Sequence, residues 1–175
     1  MRKSNILTNI FSYLSLVSGI IWFGSYVARL LVTYQLFEPE DLTLKNYINA
    51  STLPVVIQTI HPLVNLTFFS YLIFVTFFTI FLILSSLKFK QNGWMFIISM
   101  IVYLTLPFEA ILLVIDYKLI VLFLSSNFSS GDIIKLLIER ITTLNSFPII
   151  MFFSYLAIPY FLLFKPFTLN SNNEN

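Results

Sequence analysis

Two charged residues sit deep inside long apolar runs, and any chemistry of this chain would start from them. Arg29 interrupts IIWFGSYVARLLVTY, and Glu109 interrupts LTLPFEAILLVIDYK. A charge near the centre of a bilayer costs about 2.5–3.5 kcal/mol or more, so it turns toward the protein interior and seeks a partner. Arg29 lies 18 residues past Phe11, and Glu109 lies 15 residues past Trp94. At about 1.5 Å per helical residue the two reach similar depth. The expectation is therefore a buried Arg29–Glu109 ion pair.

Other polar residues gather around these two. Ser15, Ser18, Trp22, Ser25, Arg29 and Thr33 recur at steps of three and four, which puts them on one stripe of a helix. Stripes of small and polar residues pack against neighbouring helices in membranes. Glu109 and Asp116 are seven apart and share a face, with Asp116 read as an interfacial residue beside Tyr117 and Lys118. His61 and Asn65, four apart, lie toward the same side of another apolar segment. Pro107 has no N–H, so the Tyr103 carbonyl loses its helical donor. Arg29, His61, Asn65, Glu109 and Asp116 together make a candidate intramembrane polar cluster. Its first reading is a device for helix packing and register. Its rival reading is a titrating carboxylate, or a site for a polar headgroup, a quinone or an ion.

Much chemistry is excluded. The chain has no cysteine, hence no thiolate nucleophile, disulfide exchange or iron–sulfur ligation. Its one histidine, His61, cannot alone build a bis-histidine haem site or the multi-histidine sites of zinc catalysis. Neither G-x-S-x-G nor H-E-x-x-H occurs, and four glycines are too few for a phosphate-cradling loop. The net charge of +2 is small and scattered, which argues against nucleic acid as a partner. No catalytic residue, metal ligand or cofactor is assigned.

The elements that must position the cluster follow from composition. The chain is 58% hydrophobic and 10% charged, with a mean hydropathy of +0.88. Soluble domains carry about 25% charged residues. The apolar runs are continuous and do not alternate, which argues against a β-barrel, and each is long enough to cross about 30 Å of hydrocarbon. The expected fold is an all-α integral membrane protein, an antiparallel bundle of four transmembrane helices over 10–34, 62–87, 94–116 and 146–164. It forms one domain, 1–169, followed by a disordered tail, 170–175. The first run is too long for a signal-peptide core and reads as an uncleaved span. His61-Pro62 opens the second span, Lys88–Gly93 turns the chain, and apolar character continues past Asp116 to Leu124. A short amphipathic helix runs from Asp132 to about Thr143 in the second outer loop, its apolar face formed by Ile134, Leu137, Ile138 and Ile141. FFSYL occurs at both 68–72 and 152–156, a repetition that chance supplies where these residues are so common.

Basic residues set the expected orientation. Arg2, Lys3, Lys88, Lys90 and Lys165 fall in short, acid-poor segments on one side. Lys45, Lys118, Lys135 and Arg140 fall in longer, acid-containing loops on the other. Both termini are expected in the cytoplasm. The lipid bilayer is the implied environment, with protein partners or a homo-oligomer beside it. The expected role is a non-catalytic structural or accessory component of a membrane assembly. The rival is a small transporter, an ion or proton conductor, or a binder of an amphiphilic ligand working through Arg29 and Glu109.

Overall fold

The computed structural model describes residues 6–49, 51–125, 129–145 and 147–169. Among them every regular element is helical: α1 (Ile6–Tyr34), α2 (Leu53–Leu84), α3 (Gly93–Leu124), α4 (Ser130–Thr142), α5 (Phe147–Leu156) and α6 (Ile158–Phe164). Four stretches are long and apolar enough to cross a membrane: α1, α2, α3 and the 18-residue run Phe147–Phe164 that α5 and α6 share. The expected tail, 170–175, lies outside the described residues, as do Arg2, Lys3 and Ser146.

Three boundaries differ from the sequence reading. Helix α2 starts at Leu53, with Pro54 in its first turn and Pro62 inside it. Both prolines suit a helix start, and an interior proline survives in apolar helices because neighbours and local adjustment absorb the freed carbonyl. Helix α3 continues to Leu124 and carries Pro107 within it. The last span breaks at Ala157, where Pro159 removes the donor that the Tyr155 carbonyl would need.

Small residues let α1 and α2 run closely along each other. Ser15, Ser18 and Ser25 are buried on α1. Ser18 Oγ donates to the Leu14 carbonyl at 2.7 Å and Ser25 Oγ to that of Trp22 at 2.9 Å, so these hydroxyls need nothing from the partner helix. Near the start of α1, Thr8 Oγ1 donates to the Leu84 carbonyl at the end of α2. The segment after α6 returns to the start of α3: Gly93 N–H donates to Phe167 O at 3.1 Å, and Leu169 N–H donates to Gln91 O at 3.0 Å. A Cβ on residue 93 would lie 2.8 Å from Phe167 Cβ, so only glycine permits this approach. Lys165 Nζ caps the Trp94 ring at 5.6 Å, a cation–π contact at the same end.

The interior holds two apolar clusters. One centres on Trp22, Tyr71, Phe74, Val102 and Tyr155. The other gathers Phe37, Ile57, Ile60, Leu119, Ile133 and Leu137. The second is closed by the α1–α2 connection, which the sequence presents as a polar loop. Phe37 and Leu44 form an antiparallel bridge there, and Phe37 is driven inward to 2% exposure.

Candidate functional site: a buried ionic network between two apolar clusters

Where the two clusters meet along α1 and α3, four charged side chains are buried among the described residues. Arg29, Glu109, Asp116 and Arg140 are all 7% exposed or less. Arg29 comes from the polar stripe of α1, and each residue expected on that stripe is buried. Glu109 and Asp116 come from one face of α3, two turns apart. Arg140 arrives from α4, whose start is fixed by Ser129. The Ser129 hydroxyl accepts from Asp132 N–H at 3.2 Å and donates to Asp132 Oδ2 at 2.7 Å, which caps the helix.

The expected Arg29–Glu109 pair is replaced by another. Arg29 Nη1 donates to Asp116 Oδ2 at 2.7 Å, and Nη2 donates to Oδ1 at 2.6 Å. This is the parallel two-pronged geometry in which guanidinium and carboxylate match best. Arg140 Nε adds a third bond to Asp116 Oδ1 at 3.1 Å. Asp116 is therefore no interfacial residue. It is 1% exposed and joins α1, α3 and α4 through one carboxylate. The reason lies in reach and in helix length. Helix α3 stays inside the bundle beyond residue 116, and α1 and α3 are not a closely packed pair. Only a long side chain spans the gap, and Asp116 lies two turns, about 10.5 Å, beyond Glu109 along α3.

Glu109 stays in the interior without joining this lattice of bonds. Its Oε1 is buried and has no hydrogen-bond partner. It nonetheless lies within electrostatic reach of Arg140, Asp116 and Arg29, and of the phenols of Tyr26, Tyr71 and Tyr155. The hydroxyls of Tyr26 and Tyr71, the Trp22 indole N–H and Thr33 Oγ1 are likewise buried without partners. Tyr155 OH lies 3.1 Å from Thr105 Oγ1. The bundle therefore contains a polar interior as well as an ion pair.

His61 and Asn65 stand apart from the network. Asn65 Nδ2 lies 2.9 Å from His61 Nε2, and the imidazole packs on Phe123 with ring centroids 4.5 Å apart. No hydrogen bond or ion pair joins them to the arginines. Among the described residues, no group of three or more His, Cys, Asp or Glu side chains is placed to hold a metal.

Arg140 is the residue that sequence reasoning missed. The buried stripe of α4 is Ile133, Leu137 and Arg140, rather than the expected Ile134, Leu137, Ile138 and Ile141. Steps of four and three from Ile133 land on Arg140, so the signal existed, masked by the presumption that a loop arginine is solvated. A small cavity of about 20 Å³ adjoins the network, lined by Tyr26, Arg29, Thr33, Tyr34 and Arg140 and walled by Pro148. An open groove between α3 and α4 carries Lys118 and Glu139, paired at 3.8 Å. Both are half exposed, so that pair contributes little.

No protein-family model, curated protein or solved structure matches the chain.

Proposed function

We propose that the chain is a multi-pass membrane protein whose interior charges lock its helices together, serving as a non-catalytic structural or accessory component of a membrane assembly. The observation that carries this reading is the engagement of Asp116 by two arginines. Both of its oxygens are engaged by guanidinium groups from two other helices. A carboxylate used in this way is committed to holding helices and presents no free oxygen to a substrate. The four long apolar helices support insertion in a bilayer. The contacts of Thr8 with Leu84 and of Gly93 with Phe167 support an antiparallel order, since they join the start of one helix to the end of another. Lys88, Lys90 and Lys165 belong to that end, which favours placing it, with both termini, on the cytoplasmic side. Phe69, Phe96, Phe108 and Phe153 point outward, a surface suited to lipid and to neighbouring helices alike.

One observation favours the rival. The unpartnered Oε1 of Glu109 is what a conductor or transporter of protons or ions would use. Flux through reconstituted vesicles separates the two. The structural reading expects vesicles containing the chain to dissipate a proton gradient no faster than empty ones, with Glu109→Gln indistinguishable from the parent. Chain-dependent flux that Glu109→Gln abolishes, in protein that still elutes and fluoresces like the parent, would establish the rival.

A further inference from the structure

At the end of the bundle that carries Lys88, Lys90 and Lys165, backbone and side-chain bonds lock two lysine-bearing segments together. The turn before α3 and the segment after α6 meet in one antiparallel bridge, Asn92 with Thr168. Asn92 N–H donates to the Lys88 carbonyl at 3.0 Å, and Asn92 Nδ2 donates to the same oxygen at 3.1 Å. Across the bridge, Thr168 Oγ1 donates to the Lys165 carbonyl at 2.7 Å. Lys88 and Lys165 thus hang from the two halves of one bridge, and the Trp94 ring steadies Lys165 Nζ. Lys165 and Phe167 both adopt left-handed backbone, with φ of 43° and 61°, a region uncommon for any residue but glycine. The Phe167 side chain ends 71% exposed, so burial does not offset that strain. Strain held without a packing gain points to a surface shaped for contact.

The charge on this surface has one sign. Every described carboxylate lies elsewhere: Glu109 and Asp116 are interior, and the rest belong to the α1–α2 connection and to α4. Phe89, Phe164 and Phe167 stand exposed beside the lysines, so cationic and apolar groups share one edge. A ligand complementary to that edge carries a negative phosphate on an apolar body. A zwitterionic headgroup matches it less well, because its ammonium meets lysines and finds no carboxylate. We propose that this end of the bundle is a binding surface for anionic phospholipid, an inference that rests on the bilayer insertion proposed above. Lys88, Lys90 and Lys165 meet the phosphate, and the three phenylalanines lie against the acyl chains. The bridge between Asn92 and Thr168 keeps the two lysine-bearing segments at a fixed spacing, which distinguishes the site from scattered surface charge.

The test uses the full chain in mixed bilayers of phosphatidylcholine and phosphatidylglycerol, with brominated acyl chains on one lipid at a time. Bromine quenches nearby tryptophan, and Trp94 lies at this end. Trp22→Phe leaves Trp94 as the only tryptophan. The ratio of quenching by the two lipids reads the preference and cancels any change in exposure of the ring. Phosphatidylglycerol should be preferred about fivefold, the effect expected of a lysine at an anionic surface. Lys88→Gln with Lys90→Gln spares the Trp94 contact and should bring the preference below about twofold. Gly93→Ala keeps every lysine but sets a Cβ 2.8 Å from Phe167 Cβ, forcing the two segments apart, and should weaken the preference as well. Equal quenching in the parent would overturn the proposal and leave bilayer insertion standing, whereas no quenching by either lipid would remove both. A preference that survives the lysine substitutions would place the lipid elsewhere, and one that survives Gly93→Ala would show general surface charge in place of a built site. Inorganic phosphate added at constant ionic strength should leave the ratio unchanged. Loss of the preference in its presence would make free phosphate the ligand and overturn the lipid assignment.

Discussion

Asp116→Asn is expected to destabilise the protein by about 3–5 kcal/mol, the cost of stranding buried charge after one partner is removed. The substitution keeps the shape of the side chain and takes away its charge. It leaves Arg29 and Arg140 facing one another across an amide whose NH₂ presents donors to donors. Whole folds are stable by only about 5–15 kcal/mol, so much of the margin would go. Unfolding by denaturing detergent, monitored through helical content, reads the loss directly. Glu109→Gln should cost far less, because Glu109 makes no hydrogen bond that the change would break. Replacing the hydrogen-bonded triad with Arg29→Met, Asp116→Leu and Arg140→Met, in a chain that also carries Glu109→Gln, should likewise cost far less than Asp116→Asn. Buried ionic triads exchanged for apolar residues of similar size are often neutral or stabilising. The network would then be holding register and specificity more than supplying net stability.

Trp22→Ala is expected to cost a similar amount, about 3–5 kcal/mol, by opening a cavity at the centre of the aromatic cluster. The indole is 1% exposed. It lies flat against Phe74, with centroids 5.8 Å apart, and meets Tyr155 edge-on at 4.6 Å and Tyr71 at 5.0 Å. These contacts tie α1 to α2 and α5. In a bilayer, helix association depends on close packing and not on escape from water, so the lost contacts have no hydrophobic substitute. Trp22→Phe keeps a ring in place and removes an indole N–H that has no partner, so its cost should be much smaller. The same unfolding measurement on both variants distinguishes packing from polarity. Equal losses would mean that the indole nitrogen matters more than the volume.

The helices were largely legible because continuous apolar runs leave few alternatives to spans. The stripe from Ser15 to Thr33 was also legible, since a 3.6-residue period fixes which side chains share a face. Partnership was not. Glu109 and Asp116 share their face, and choosing between them needs the relative tilt and shift of α1 and α3, which no single-helix pattern contains. A difference of two turns along α3 separates the actual partner of Arg29, Asp116, from the expected one, Glu109, which is left as an unbonded carboxylate. Arg140 was hidden by its setting, a short helix after a loop, where a basic residue is normally solvated. Pro54 and Pro62 carry the same local helix-start signal, so the sequence alone does not distinguish Leu53 from His61 as the start of α2. The fold of the α1–α2 connection, with Phe37 turned inward, depends on an apolar cluster built by distant helices.

Asp116, and not Glu109, is the fixed partner of Arg29. Two double-mutant cycles in mild detergent test it most directly, one combining Arg29→Met with Asp116→Asn and one combining Arg29→Met with Glu109→Gln. A coupling energy of about 1–3 kcal/mol is predicted for Arg29 with Asp116, and about 0.5 kcal/mol or less for Arg29 with Glu109. A larger coupling of Arg29 to Glu109 than to Asp116 would show that Glu109 is the partner instead.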